Sequence, residues 1–118
     1  MTTNEQIAGV MGWDKVGSMI YIKSENRYVA VEFLVDVFLS ELPAAKLLQQ
    51  RMVDDGWHFE LAHWIESFPD FPPRTYLSAT ACNFGGRKPD LIFAEADTEP
   101  AAIVSLFKKV YGIEVEHE

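Results

Sequence analysis

His58 and Glu60 stand two residues apart in "WHFELAHWIESF". On a strand that spacing puts an imidazole and a carboxylate on one face, where they could hold a metal ion. A closed site needs further ligands, and His63 falls on the opposite face of the same strand. Solvated strand residues are the better reading of the pair. "FGGRKP" offers the Gly85 and Gly86 amides and the Arg87 and Lys88 charges to an anion such as a nucleotide. It lacks the strand-to-helix context and spacing of a phosphate loop, so an ordinary hairpin turn is favoured. Ser40 and Ser78 have no assignable His and carboxylate partners, and no Gly-x-Ser-x-Gly elbow exists. Cys82 is the chain's one cysteine, which excludes a disulfide within the chain and reads as a small strand hydrophobe. No catalytic or metal-binding constellation emerges, and no cofactor is expected.

The same sparseness holds at Asp97, in "EADTEPAAIVSLFKKVYG". Asp97 or Thr98 can cap a helix with Pro100 just inside it, Glu99 in its positive first turn, and Lys108 and Lys109 in its last. Ile103, Phe107 and Val110 then form the inward stripe and Gly112 the exit. Capping therefore outweighs catalysis for Asp97.

The elements around these residues follow from periodicity and punctuation. Thr3 and Gln6 have the spacing of a capping box before an apolar stripe that ends at Gly12. "SMIYIK" and "RYVAVEFLVDVFL" flank a polar turn, and odd positions from Val29 to Leu39 are all apolar, which predicts a hairpin with a strand in at least the first half of that run. Ser40 is the expected cap of a second helix containing Leu42, Ala45, Leu48 and Met52, stopped by Gly56. "WHFELAHWIESF" alternates as a half-buried strand with Trp57, Phe59, Leu61, His63 and Ile65 on one face. "PDFPPRT" holds three of the six prolines and reads as a loop; "YLSATACNF" and "DLIFAEA" are two further strands. The expected fold is one α+β domain over 1–118, with helices near 3–11, 41–55 and 98–111 and a largely antiparallel sheet of about four to five strands.

Composition bounds the partners. With 48% apolar residues and 18 acids against 10 bases, the net charge is −8. That balance belongs to a folded protein and repels nucleic-acid phosphates and anionic lipid. No apolar run approaches membrane-spanning length, and "MTTNEQIAGV" lacks the pattern of a signal peptide. From Asp90 onward seven acids face two lysines, a net −5. Glu95, Asp97, Glu99, Glu114, Glu116 and Glu118 are therefore candidate contacts for a basic protein. Trp64 joins them as an anchor, because it shares the polar face of its strand with Glu60 and Glu66.

Three segments, "EQIAGVMGW" (5–13), "SELPAAKLLQQRMVDDGWHFEL" (40–61) and "AEADTEPAAIVSLFKKV" (94–110), occur in the order seen in the phage ABA sandwich domain family, which the chain resembles. The resemblance implies a three-layer α/β/α sandwich encoded by a phage or prophage and working in the host cytoplasm, and it carries no catalytic residues. The expectation is a non-enzymatic accessory protein that binds a host protein with a basic surface, as an inhibitor of a defence complex (anti-CRISPR-like) would. Sequestration of a small anionic ligand by Gly85, Gly86, Arg87 and Lys88 is the alternative. Direct nucleic-acid or membrane binding is not expected, and a homo-oligomer is compatible with either reading.

Overall fold

A computed structural model of the chain describes residues 2–83 and 90–113. The first helix, α1 (Thr3–Met11), is capped one residue earlier than the Thr3–Gln6 spacing suggests. Thr2 is extended, accepts a hydrogen bond from the Glu5 amide at 3.2 Å, and donates to the Glu5 carboxylate. Glu5 wins over Gln6 because its charge suits the helix N-terminus and also pairs with Lys15 at 3.3 Å. Gly12, at φ 72°, closes the helix.

A three-stranded antiparallel meander follows: β1 (Asp14–Val16), β2 (Met19–Ile22) and β3 (Arg27–Ala30). The strand expected from Val29 onward stops at Ala30. Val31–Phe33 form a one-turn 3-10 segment, and α2 (Leu34–Ser40) takes the rest. Nearly every position of "VEFLVDVFL" is apolar, so its sequence satisfies period two and period 3.6 alike. Tertiary packing decides for the helix: Leu34 and Phe38, four residues apart, are fully buried, and Phe38 stacks on Trp13 with ring centroids 5.9 Å apart. Ser40 consequently ends α2, its hydroxyl donating back to the Asp36 carbonyl at 2.8 Å, and it does not cap the next helix. The cap position of α3 (Leu42–Asp54) falls to Glu41, whose carboxylate is engaged elsewhere. Arg27 grips it through two bonds of 2.9 and 3.0 Å. That pairing holds the Glu41 carboxyl below the usual carboxylate range, and Arg27 also reaches Glu25 at 3.1 Å.

The second sheet is larger. β4 (His58–Phe68), β5 (Phe71–Asn83) and β6 (Asp90–Ala96) pair antiparallel in sequence order. Helix α4 (Glu99–Val110) then returns across it, capped by Thr98, which accepts from the Ala101 amide. The segment "PDFPPRT" is a strand from Phe71 onward and a turn only at Pro69–Asp70. The prolines are tolerated because β6 does not reach them and because the register slips there. Phe68 faces Phe71 and Glu66 faces Arg74, so Pro72 and Pro73 together oppose Ser67 in a bulge.

The chain is thus a mixed α+β protein with two antiparallel sheets where a single sheet of four to five strands was expected. Among the described residues there are six strands, because α2 and α3 separate the small meander from the large sheet. One core joins them. In α4, Ala102, Ile103, Val104, Leu106 and Phe107 are all buried, too many for one stripe. The helix packs on β5 and β6 on one side and on α2 and α3 on the other. Small residues of the sheet, Ala79, Ala81 and Ala94, let it approach closely. Tyr111, beyond its end, donates to Asp55 at 2.5 Å and ties α4 to the end of α3. Burial and that carboxylate push the Tyr111 phenol well above its ordinary value.

Candidate partner-binding surface

β4 and β5 continue past the end of β6. The last β6 pair is Ala96 with Leu77, whereas β4 and β5 remain paired through Trp64–Tyr76, Ile65–Thr75 and Glu66–Arg74 to Phe68–Phe71. The overhang, residues 64–76, is a two-stranded arm about 17 Å long at the rise of an antiparallel strand. The molecule measures 53 × 38 × 28 Å, with a radius of gyration of 15.7 Å against roughly 13.5 Å for a compact chain of this length.

Neither face of the arm is covered. The face that carries Phe59, Leu61, Leu77, Ala79 and Ala81 against the helices continues outward as His63, Ile65 and Thr75, all exposed, with Ile65 at 72%. His63 and Ile65 therefore lie on the core side, as their alternation requires, but beyond the reach of the helical layer. At the tip Phe71 is 70% exposed.

The opposite face of the whole large sheet carries Trp64 (52% exposed), Tyr76, Glu66, Arg74, Glu95 and Phe93. Trp64 faces Tyr76 across the strands. The Arg74 guanidinium lies over the Tyr76 ring, 5.6 Å from its centroid. Partial desolvation, followed by the Glu66 and Glu95 carboxylates, raises the Tyr76 phenol above its ordinary value. Aromatic rings beside carboxylates form an environment for cations: a ring face attracts a guanidinium or ammonium, and an adjacent carboxylate accepts its hydrogen bonds. Arg74 shows that the position suits one.

The acids singled out from the sequence divide. Glu95 joins Trp64 on the outer face. Glu99 instead pairs with Lys46 of α3 at 3.2 Å, within the helical layer. Asp97 is exposed in the turn ahead of α4, and the cap is Thr98. Glu114, Glu116 and Glu118 lie outside the described residues, as do Gly85, Gly86, Arg87 and Lys88. His58 and Glu60 bond each other at 3.1 Å in solvent, and no group of three metal-type side chains forms among the described residues. Arg74 and Phe71 escape a sequence reading because "PDFPPRT" reads as a loop, whereas Glu66 and Tyr76 fall in expected strands. The signal that could have found Arg74 is its alternation with Tyr76, Ser78 and Thr80 on one side of the segment.

A groove of about 280 Å³ lies beside Trp13, lined by Lys23, Ser24, Leu47, Gln50, Arg51 and Asp54 among others. Lys23 pairs with Asp14 at 3.7 Å and Arg51 with Asp55 at 3.2 Å, although the buried Arg51 Nε makes no hydrogen bond.

The chain matches no protein-family model, no curated protein and no solved structure. No helix among the described residues is long and apolar enough to cross a membrane.

Proposed function

We propose that the protein acts by binding and not by catalysis, and that it engages a partner with a basic surface through the arm and the outer face of the large sheet. The observation that carries this reading is the arm itself. A two-stranded hairpin is marginal in water on its own, yet this one projects with tryptophan, isoleucine and phenylalanine bare. Trp64 and Tyr76 supply an anchor, and Glu66 and Glu95 supply charge suited to Lys or Arg. With a net charge of −8, encounter with a basic groove is favoured at long range.

Taken with the resemblance to the phage ABA sandwich domain family, the biological setting we propose is a phage or prophage accessory protein in the host cytoplasm. There it inhibits a defence complex by occupying a surface meant for nucleic acid, as an anti-CRISPR protein does. In a three-layer arrangement of that family's kind, a further layer would cover the outer face of the sheet, the face left free here for a partner. Sequestration of an anion by Gly85–Lys88 remains the alternative.

The test is phage plating on a host with active CRISPR immunity, with and without the chain expressed. Wild type should restore plaques, and Trp64→Ala or the pair Glu66→Gln and Glu95→Gln should abolish the rescue at unchanged expression. Rescue untouched by these changes would remove the arm and outer face from the function. Thermal stabilisation by nucleotides together with no rescue would replace inhibition by sequestration.

A further inference from the structure

The large sheet exposes three stretches of strand edge among its described residues, and two of them are closed. On β6, Lys109 donates to the outward Phe93 carbonyl at 3.0 Å and lies 5.7 Å from the Phe93 ring centroid, so a cation from α4 occupies that edge. On the arm, the β5 edge not reached by β6 carries Pro72 and Pro73, which lack N–H donors, together with the bulge opposite Ser67. The third edge is β4. From His58 to Glu66 it has no proline, no lysine and no bulge, and β5 is the one strand paired with it among the described residues. Nine residues of backbone without proline, lysine or bulge would run about 30 Å. Natural sheets close such an edge or use it.

We infer that the β4 edge is a homodimer interface, in which β4 pairs antiparallel with β4 of a second copy about a two-fold axis at Ala62, making one six-stranded sheet. The occupant is a second copy because the strand is complementary to itself in that register. His58 then faces Glu66 of the second copy and Glu60 faces Trp64. On the helix-side face, Phe59 meets the exposed Ile65 and Leu61 meets His63. Ala62, a small residue, meets itself on the axis. Shifting the axis to His63 would set Glu60 against Glu66, a like-charge pair, so charge selects between the two. In the chosen register each bare arm lies beside the packed half of its partner's β4. The arm thereby gains the third strand that a hairpin needs for stability, and Ile65 gains an apolar neighbour. A two-fold pairing of this kind is isologous and closes at two copies. The inference stands on the edge alone and does not depend on the proposed basic partner.

Sedimentation equilibrium of the full chain over a wide concentration range tests it. The expected result is a reversible dimer whose dissociation constant rises about tenfold or more with Ala62→Lys, which sets two ammonium groups against each other on the axis. His58→Glu should weaken the dimer in the same way by facing Glu66, and His58→Glu combined with Glu66→Lys should restore it. Circular dichroism of each variant separates loss of pairing from loss of folding. As a check that needs no destabilising change, Ala62→Cys in a Cys82→Ser background should be joined into a covalent dimer by a short bis-maleimide, each thiol adding to one maleimide, since directly opposed β-carbons lie about 4.5–5.5 Å apart. A wild type that stays monomeric at every concentration overturns the proposal. So does a dimer indifferent to Ala62→Lys and to the charge reversal, or one that does not cross-link through position 62.

Discussion

The two halves of the β4–β5 hairpin share strands and, from His58 to Glu66, one alternation, and differ in what lies on them. From His58 to Leu61 the odd positions of β4 rest on the helices and pair with Ala81 and Ala79, which are fully buried. From His63 to Phe68 the same alternation continues over nothing, and Ile65 is among the most exposed apolar residues described. A strand's pattern therefore announces which side chains share a face, and the reach of the neighbouring layer decides which of them are buried. Here α4 spans the seven residue pairs between β5 and β6, and the hairpin outruns it. The packed half carries stability, and the bare half is the part proposed above for recognition.

The largest effect expected from that contrast lies under the packed half. Phe107 is fully buried in α4, so Phe107→Ala should destabilise the fold by about 3–5 kcal/mol, read by chemical denaturation. A loss below about 1 kcal/mol would mean that α4 is not the layer on which the sheet depends. Next is the helix cap. Thr98→Ala removes the side-chain acceptor of the Ala101 amide and should cost about 0.5–2 kcal/mol. Asp97→Ala, one residue earlier, should cost less than Thr98→Ala; the reverse order would return the cap to Asp97.

A smaller effect sits at the rim of the packed body, where Arg27 joins β3 to the start of α3 through Glu41. The folded Glu41 carboxyl is held below its ordinary range by Arg27, as the Glu5 carboxyl is by Lys15 and Thr2. A carboxyl depressed on folding stabilises the folded state above its unfolded value, and that contribution is lost as the pH falls through the folded value. Arg27→Met should therefore lower the melting temperature near neutral pH, and the gap from wild type should close on acidification below the carboxylate range. A gap that stays constant with pH would assign the Arg27 contribution to packing of its stem.

How far the sequence discloses this molecule follows the same division. The last helix is legible because its punctuation and its stripe agree: Thr98, Pro100, Ile103, Phe107 and Gly112 each sit where local rules require. The three strands of the large sheet are legible from alternation. What is hidden is whatever depends on a distant layer. "VEFLVDVFL" carries two periods at once, and the contact between Phe38 and Trp13 belongs to the helical one. Proline in "PDFPPRT" is a local signal for a loop, overridden because the bulge and the unpaired edge leave no donor missing. Trp64 stands out in the sequence as a candidate anchor because of its polar neighbours. Tyr76, its companion across the strands, falls in an expected strand, whereas Arg74 is hidden because "PDFPPRT" reads as a loop.

The smallest effect on folding, and the sharpest contrast, belongs to the arm. Trp64 lies on the outer face with no helix against it, so Trp64→Ala should change stability by no more than about 0.5 kcal/mol. The amides of the arm, residues 64–76, should exchange with solvent early. Those of residues 77–83, held between β4 and β6 under α4, should exchange only by opening that approaches global unfolding. Measured at low protein concentration, this gradient along one hairpin reports directly where the helical layer ends. Raising the concentration should slow exchange in β4 if its edge pairs with a second copy, and should leave the Pro72–Pro73 side of the arm as fast as before. Uniform protection along both halves at low concentration would show that the arm is held by the body of the same molecule. Its exposed aromatic and apolar side chains would then be a solvated continuation of the sheet, with no claim on a partner.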